Sequence, residues 1–354
     1  MKKILFIISI FLLVGGLGFG IYYFYHNKVI TTDNNQVVKN KCLDENEVAD
    51  YKNDKSDFVG KIIVEVKNKK SSEIISSFEI DDVMLRNYAA EIHKCGIYTL
   101  RSFNDDYKQS KALLGFSKEL WFYNYKGIGE KVITLAGESM TGVPDAAGVS
   151  GKLYTLDYSY DFRIDPLEKN IVLVKSYLGK DDHALVIKDI NTKEDVLSIK
   201  LKDIIQKYPN VIGSIGLIKW ADDGRYFWAD IFDGAYEKGF IRVDSKDWSY
   251  QIFEMPGDMD IGVSGPLNFN TGYTLLYPGL VWTGVVEVDQ QLRNELLKEG
   301  KQSIIYLYNI FTKQRELIAT TTKPLWDFNG QWLSDTELQY TLPSGEKRIY
   351  KIEK

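Results

Sequence analysis

Acidic and aromatic side chains lie close together in one short segment of the sequence, at residues 228–237. Rings flanked by carboxylates could stack against a sugar or hold a basic peptide. We therefore predict a binding surface that includes one further tryptophan beyond this segment. Its candidate residues are Trp228, Asp230, Asp233, Tyr236, Glu237 and Trp282. The alternative for the two tryptophans is core packing, because aromatic side chains on strands usually face a neighbouring sheet.

The sequence contains no complete motif of a serine hydrolase. A serine hydrolase needs a serine on a strained turn, a histidine base and an acid that orients the histidine. Ser139 and Ser214 come nearest to such a setting, yet neither stands in a Gly-x-Ser-x-Gly sequence. We interpret both as loop serines.

Three pairs of neighbouring aspartates could bind calcium or act as acid and base. The pairs are Asp181 with Asp182, Asp222 with Asp223, and Asp258 with Asp260. Acids in such turn contexts are more often solvated turn formers, and no Asp-x-Asp-x-Asp-Gly loop is present. The three histidines are too few and too dispersed for a histidine metal cluster; they are His26, His93 and His183. We predict no metal and no cofactor.

The sequence contains two cysteines, Cys42 and Cys95. On an oxidising side of a membrane an even pair could form one disulfide, which would join the segment before the main domain to that domain. Two free thiols remain the alternative, because sequence alone gives no distance between them.

Composition and charge exclude one broad class of function. The chain has 44% hydrophobic residues and a net charge of -5, so it is an ordinary globular chain without a basic surplus. Lysines and arginines are scattered among acids rather than clustered, which argues against nucleic-acid binding. The aromatic content of 13% favours sheets, because flat rings pack well on pleated surfaces.

The first 26 residues resemble a membrane anchor. Residues 4–25 carry no charge and, as a helix, would span roughly 33 Å, enough to cross a bilayer. Lys2 and Lys3 precede the span, so we expect the N-terminus inside the cell and the C-terminal domain outside the cell membrane. The alternative is a cleaved signal peptide, but no small-x-small cleavage site follows the apolar core.

Two further predictions concern the segment around this span. Gly16 and Gly20 form a Gly-x-x-x-Gly pair that could let two helices dimerise, although glycine is also common in membrane helices without that role. Residues 27–57 are polar and without hydrophobic periodicity, so we predict a spacer, with the folded domain beginning at residue 58.

From residue 58 to 354 short alternating apolar segments follow one another, which is typical of an all-β domain. Four pairs share one form, an apolar strand, a polar turn and a second apolar strand. They are residues 120–124 with 131–135, 185–190 with 195–199, 240–244 with 248–252, and 305–309 with 316–319. This repetition predicts four hairpins.

A second repeated feature is a turn that leads into an aromatic strand, clearest at residues 220–229, Trp-Ala-Asp-Asp-Gly-Arg-Tyr-Phe-Trp-Ala, with a degraded copy at residues 332–340. These residues resemble the Trp-x-x-Asp-Gly turn of TolB-like and WD-type β-propellers. The resemblance covers roughly residues 97–354 and implies a β-propeller. Matching hairpin positions lie 65, 55 and 65 residues apart, longer than the roughly 40–45 of a plain blade, so insertions must be present.

Counting the four hairpins and a final short unit at residues 325–352 predicts about five blades, with six blades or a β-sandwich as alternatives. One insertion, residues 288–300, has the composition of a helix. We expect a hairpin at residues 61–66 and 74–80 to complete the final unit and close the ring.

Two functional classes remain. The first is a non-catalytic binding or scaffolding module for a protein or glycan, held outside the membrane. The alternative is a hydrolase or lyase acting on envelope or extracellular polymers. A convergent carboxylate pair in the central channel would favour the enzyme, whereas a dry aromatic or apolar patch would favour the binding module.

Overall fold

The computed structural model describes most of the chain beyond residue 41, in segments with gaps between them. The described residues are 42–53, 59–84, 90–102, 118–135, 138–140, 153–177, 182–211, 213–221, 223–233, 236–256, 261–264, 266–278, 286–300, 303–321, 330–342 and 344–352. All of them belong to one compact unit, Lys41–Lys354. The membrane span predicted at residues 4–25 and its glycine pair lie outside the described residues. No helix in the described part is long and apolar enough to cross a bilayer.

Twenty-three strands and two helices make up the described part of the chain. The strands of the first sheet are β1 (Glu47–Asn53), β2 (Val59–Asn68), β3 (Ile74–Met84), β4 (Ala90–His93), β5 (Gly96–Ser102), β6 (Lys118–Asn124) and β7 (Gly129–Leu135). Those of the second sheet are β8 (Glu138–Met140), β9 (Leu153–Ile164), β10 (Asn170–Tyr177), β11 (Asp182–Asp189) and β12 (Asp195–Lys200). Helix α1 (Leu201–Lys207) follows.

The remaining elements form three further sheets and one helix. The third sheet contains β13 (Ser214–Trp220), β14 (Tyr226–Asp233), β15 (Tyr236–Asp244) and β16 (Tyr250–Glu254). The fourth contains β17 (Ile261–Ser264), β18 (Tyr273–Pro278), β19 (Ser303–Asn309) and β20 (Arg315–Thr321), with helix α2 (Val286–Lys298) between β18 and β19. The fifth contains β21 (Gly330–Trp332), β22 (Glu337–Thr341) and β23 (Lys347–Lys351).

The chain passes through the five sheets in sequence order, and neighbouring strands are antiparallel. The third and fourth sheets are plain four-stranded meanders, the blade type of a propeller. The all-β prediction is confirmed, as are the four predicted hairpins, which are β6–β7, β11–β12, β15–β16 and β19–β20. The predicted helix at residues 288–300 is confirmed as α2.

One turn type explains why several hairpins form where the sequence places them. An Asn or Asp ends the first strand, and its side-chain oxygen accepts backbone N–H groups two or three residues later. In the β11–β12 hairpin, Asp189 accepts from Asn191 and Thr192 at 2.7 and 2.8 Å. The fourth residue after the Asx then has positive φ, as at Lys193 with 67°. Such side-chain turns fix hairpin register locally, before distant contacts form.

The predicted Asp-Gly turn between β13 and β14 is also present. Gly224 has a φ of 70° and donates its N–H to the carbonyl of Ala221 at 2.8 Å. A residue with a Cβ rarely adopts this backbone conformation, which is why glycine is suited to the position.

Apolar side chains from successive sheets pack together, so each sheet shares one core cluster with the next. Along β10, Ile171 and Leu173 pack towards the first sheet, whereas Val172 and Val174 pack towards the third. The third sheet likewise packs on the fourth through Trp228, and the fourth packs on the fifth. Sheets covered on both faces in series form a propeller-like arrangement.

Two predictions about the start of the domain are wrong. Part of the predicted spacer, residues 47–53, forms β1, which pairs with β2 along its whole length. The hairpin at residues 61–66 and 74–80 does form, as β2 and β3, but it does not complete the fifth sheet. Strand β1 pairs with the outer edge of β2, and β5 pairs with the outer edge of β3 through the residues Val83 and Arg101.

A disulfide between Cys42 and Cys95 joins the segment before β1 to the turn between β4 and β5. The backbone N–H of Leu43 bonds to the carbonyl of Lys94 at 2.8 Å beside it. The hydroxyl of Tyr125 donates to the carbonyls of His93 and Gly96 at 2.5 and 3.1 Å. The start of the domain is therefore fixed to the first sheet covalently and by hydrogen bonds.

Candidate functional site

Strand β14 carries the residues that could do chemistry, and its two faces differ in character. Phe227, Ala229 and Ile231 point into the core shared with the second sheet. Because side chains alternate along a strand, the other face carries Trp228 and Asp230 towards the fourth sheet. This face therefore combines a buried ring with a carboxyl group.

Asp230 lies close against the neighbouring strand β13, because the residue opposite it there has no side chain. It stands opposite Gly216 of β13, and a Cβ placed on Gly216 would come within 2.3 Å of Asp230 Oδ1. Only glycine leaves room for the carboxyl group in this position. Burial raises the pKa of Asp230, because the charged form loses its water.

Glu237 lies on the same face, at the start of β15. It pairs with Phe232, two residues beyond Asp230 and on the same side of β14. Its Oε2 is shielded from solvent and has no hydrogen-bond partner among the described residues. Burial, followed by the charge of Asp230, raises the pKa of Glu237 to about 8.

Two carboxyl groups with raised pKa values can share acid and base roles. Because burial and then the charge of Asp230 disfavour its ionised form, Glu237 retains a proton at neutral pH. A protonated carboxyl beside an ionised one is the combination that general acid–base catalysis uses. The arrangement can therefore donate a proton at Glu237 and accept one at Asp230.

The structure brings together only part of the predicted binding surface. Asp230 lies near enough to Glu237 for its charge to raise the pKa of Glu237, whereas Asp233 at the end of β14 is exposed. Tyr236 pairs with Asp233 through the backbone, and its side chain is outside the described part. Trp282 lies outside the described residues.

Trp228 is a core residue, in agreement with core packing, the alternative that we gave for the two tryptophans. It is 1% exposed and stacks on Phe253 with ring centroids 5.8 Å apart. Phe269 and Phe311 are 5.7 and 6.2 Å away. An enclosed ring cannot serve as an exposed platform for a ligand.

Arg242 is a residue that the sequence analysis missed. Its guanidinium lies over four rings at 4.9 to 5.6 Å from their centroids; these rings belong to Tyr226, Trp228, Phe253 and Phe311. It also donates to the side chain of Gln251. All four rings lie outside β15, the strand that carries Arg242, so no local pattern could have revealed the cluster.

An open pocket lies at the other end of β14, where the strand begins at Tyr226. It has a volume of about 650 Å³ and reaches from the third sheet to the fifth. Tyr226 and Asp230 are four residues apart, which is about 13 Å along a strand. In the described part of the chain, no group of three His, Cys, Asp or Glu side chains is placed to hold a metal ion.

No known protein family matches the chain, and no curated protein matches it. Solved structures do. A periplasmic gluconolactonase of Pseudomonas aeruginosa is 10% identical, with a TM-score of 0.41 over 84% of this chain and 75% of its own. The propeller domain of a trilobed protease from Pyrococcus furiosus is 10% identical, with a TM-score of 0.39 over 83% and 72%.

A structure from a study of two prolyl endopeptidases is also similar, at 10% identity and a TM-score of 0.41. The match covers 75% of this chain but only 34% of that one, so the present chain spans about a third of its length. At these identities the similarity concerns the fold alone.

The prediction of a non-catalytic binding or scaffolding module is wrong. Among the described side chains of the predicted surface, the structure has a buried tryptophan and two partly buried carboxyl groups rather than an exposed aromatic patch. These side chains favour the alternative of a hydrolase or lyase over the binding module.

Proposed function

We propose that this protein is an acid–base hydrolase or lyase that acts on envelope or extracellular polymers. The observation that carries the proposal is the pair of Asp230 and Glu237, with an enclosed Glu237 Oε2 that lacks a hydrogen-bond partner among the described residues. Glu237 is the proton donor to the leaving group. Asp230 is the base that takes a proton from water in a hydrolase, or from a carbon of the substrate in a lyase.

The proposed architecture is a β-propeller of five blades related to the TolB-like and WD-type propellers. Five sheets in sequence order and core clusters between successive sheets support it. We also propose that residues 4–25 anchor the chain in the cell membrane with the domain outside, and that Gly16 and Gly20 mediate dimerisation. Protease digestion of intact cells tests the orientation, because an outward domain would be cleaved and an inward one protected.

The catalytic proposal is tested by measuring turnover with Glu237→Gln and Asp230→Asn. The substrates are a panel of cell-envelope and extracellular polysaccharides. New reducing ends report hydrolysis, and ultraviolet absorbance of a new carbon–carbon double bond reports elimination. Loss of a general acid or base lowers rates by about 10²- to 10⁴-fold. The matched control is Glu73→Gln, at an exposed position in the β2–β3 turn.

The pH profile gives a second, independent reading of the same pair. The rate should fall as pH rises through about 8, because Glu237 then loses the proton that it donates. Cleavage that both substitutions leave within twofold of the wild-type rate would show that these carboxyl groups are not the acid and base.

A further inference from the structure

The open pocket at the start of β14, here called the rim pocket, has a lining drawn from three sheets. Its walls include two cations, three rings, two carboxylates and an amide. They are Lys219, Arg242, Tyr226, Phe269, Trp332, Asp223, Asp335 and Asn270. At about 650 Å³ the rim pocket is within the usual size of a small-ligand site.

The two cations of the rim pocket contact aromatic rings rather than carboxylates. Lys219 Nζ lies 4.8 Å from the ring centroid of Phe269, and the Arg242 guanidinium lies 4.9 Å from that of Tyr226. Neither forms a salt bridge with another described residue. A cation held on a ring keeps most of its charge available to a ligand, because the ring supplies no counter-charge.

The two acids of the rim pocket already accept hydrogen bonds from the protein. Asp335 Oδ1 accepts from the side-chain amide of Asn270 at 3.0 Å, and Asp223 Oδ1 accepts from the backbone N–H of Arg225 at 2.9 Å. Each carboxylate keeps its charge and an oxygen that can accept a ligand hydroxyl group, so the rim pocket offers hydroxyl acceptors beside its two cations.

The rings supply the apolar part of the recognition. The Trp332 indole N–H donates to the carbonyl of Pro266 at 2.7 Å, which fixes the orientation of this ring across the fourth and fifth sheets. Sugars present an apolar C–H face to such a ring and hydroxyl groups to nearby polar side chains. Rings and unneutralised cations together match a sugar that carries an anionic group.

We propose that the rim pocket binds a short acidic oligosaccharide, one with carboxylate-bearing sugar units. Lys219 and Arg242 receive a carboxylate, and Trp332 and Phe269 support the sugar rings. The inference rests on the proposed function in one respect, because it identifies the polymer substrate of that proposal as an acidic polysaccharide. The rim pocket then holds the polymer about 13 Å along β14 from the acid–base pair.

The test uses the full-length protein and isothermal titration with carboxylated hexuronate trisaccharides. Neutral trisaccharides of the same length and sodium acetate serve as comparison ligands. Lys219→Gln removes one charge at an exposed position, so folding is preserved. Lys246→Gln, an exposed lysine in the β15–β16 turn outside the rim pocket, is the matched control.

We expect the acidic trisaccharide to bind and Lys219→Gln to weaken it about tenfold, as for loss of one charge-assisted hydrogen bond. Lys246→Gln should leave the dissociation constant unchanged. The proposal would be overturned if the neutral trisaccharide bound as tightly as the acidic one, or if Lys219→Gln bound the acidic trisaccharide as tightly as the wild-type protein does. It would also be overturned if millimolar acetate displaced the acidic trisaccharide. The absence of binding by the wild-type protein would overturn it as well.

The same titration with Glu237→Gln separates this proposal from the catalytic one. If both hold, Glu237→Gln binds the acidic trisaccharide normally but does not turn over polymer. Normal binding with unimpaired turnover refutes the catalytic pair and leaves the rim pocket. Impaired turnover without trisaccharide binding refutes the rim pocket and leaves the catalytic pair.

Discussion

Replacing Glu237 with Gln should change how the stability of the protein depends on pH. The carboxyl group of Glu237 has a pKa of about 8 in the folded protein and 4.5 when it is free in water. The folded state therefore binds one more proton than the unfolded state between these two values. A Gln at this position cannot ionise, so it removes this term without changing the size of the side chain.

The sign and size of the effect follow from proton linkage. The contribution of Glu237 is fully present below pH 4.5 and is lost as pH rises through about 8, because the ionised group must then be kept in a shielded site. Each pKa unit is about 1.4 kcal/mol, so the loss between pH 5 and pH 9 is about 4 kcal/mol. That is a large share of the stability of a typical domain.

Urea denaturation at several pH values between 5 and 9 measures this term. The free energy of unfolding of the wild-type protein should fall over this range by about 4 kcal/mol more than that of Glu237→Gln. Glu73→Gln, at an exposed site, should follow the wild-type curve. Asp230→Asn should move the midpoint of the fall to lower pH, because the charge of Asp230 is one cause of the raised pKa.

The comparison uses how steeply the free energy of unfolding changes with pH. Any cost of burying the Gln amide is the same at every pH and therefore cancels. If the wild-type and Glu237→Gln curves run parallel between pH 5 and pH 9, Glu237 is ordinarily solvated. The assignment of a proton to Glu237 at neutral pH would then be incorrect, and with it the proposed acid.

Three further perturbations test other parts of the structure. Gly216→Ala should lower the free energy of unfolding in urea by about 1–3 kcal/mol, because its Cβ would meet Asp230 Oδ1 at 2.3 Å; unchanged stability would contradict the close approach. Trp228→Ala should cost about 3–5 kcal/mol in the same assay, as expected for an enclosed ring. Replacing Cys42 and Cys95 together with Ser should cost about 4 kcal/mol, from a covalent loop with a sequence separation of 53; alkylation and mass spectrometry establish that the wild-type thiols are oxidised.

The hairpins were predictable because their determinants are local. Alternating apolar residues and an Asx at the end of the first strand define both strands and the turn, as at Asp189 and Asn309. The β2–β3 hairpin was equally visible, but its neighbours were not. Its position in the first sheet depends on β1 and on the disulfide, neither of which leaves a periodic pattern in the sequence.

The acids of the candidate site were visible in the sequence, but their surroundings were not. Asp230 and Glu237 stood out as acids near aromatic residues, yet their environment depends on strands that are distant in sequence. Gly216 admits the Asp230 carboxyl from β13, and Phe311 from the fourth sheet helps to enclose Trp228. A single sequence gives residue types and local spacing, but it does not reveal which sheet covers which face.

The disulfide also limits how two copies of this protein can exchange parts. Among the described residues, strands β1 to β3 share one backbone register pair with the rest of the first sheet, Val83 with Arg101, beside side-chain packing in a common core. A terminal strand unit of this kind can be exchanged between molecules. Here the unit is held at both ends, by the chain after β3 and by the bond from Cys42 to Cys95. Oxidation therefore confines these strands to their own molecule, and reduction removes that barrier to exchange.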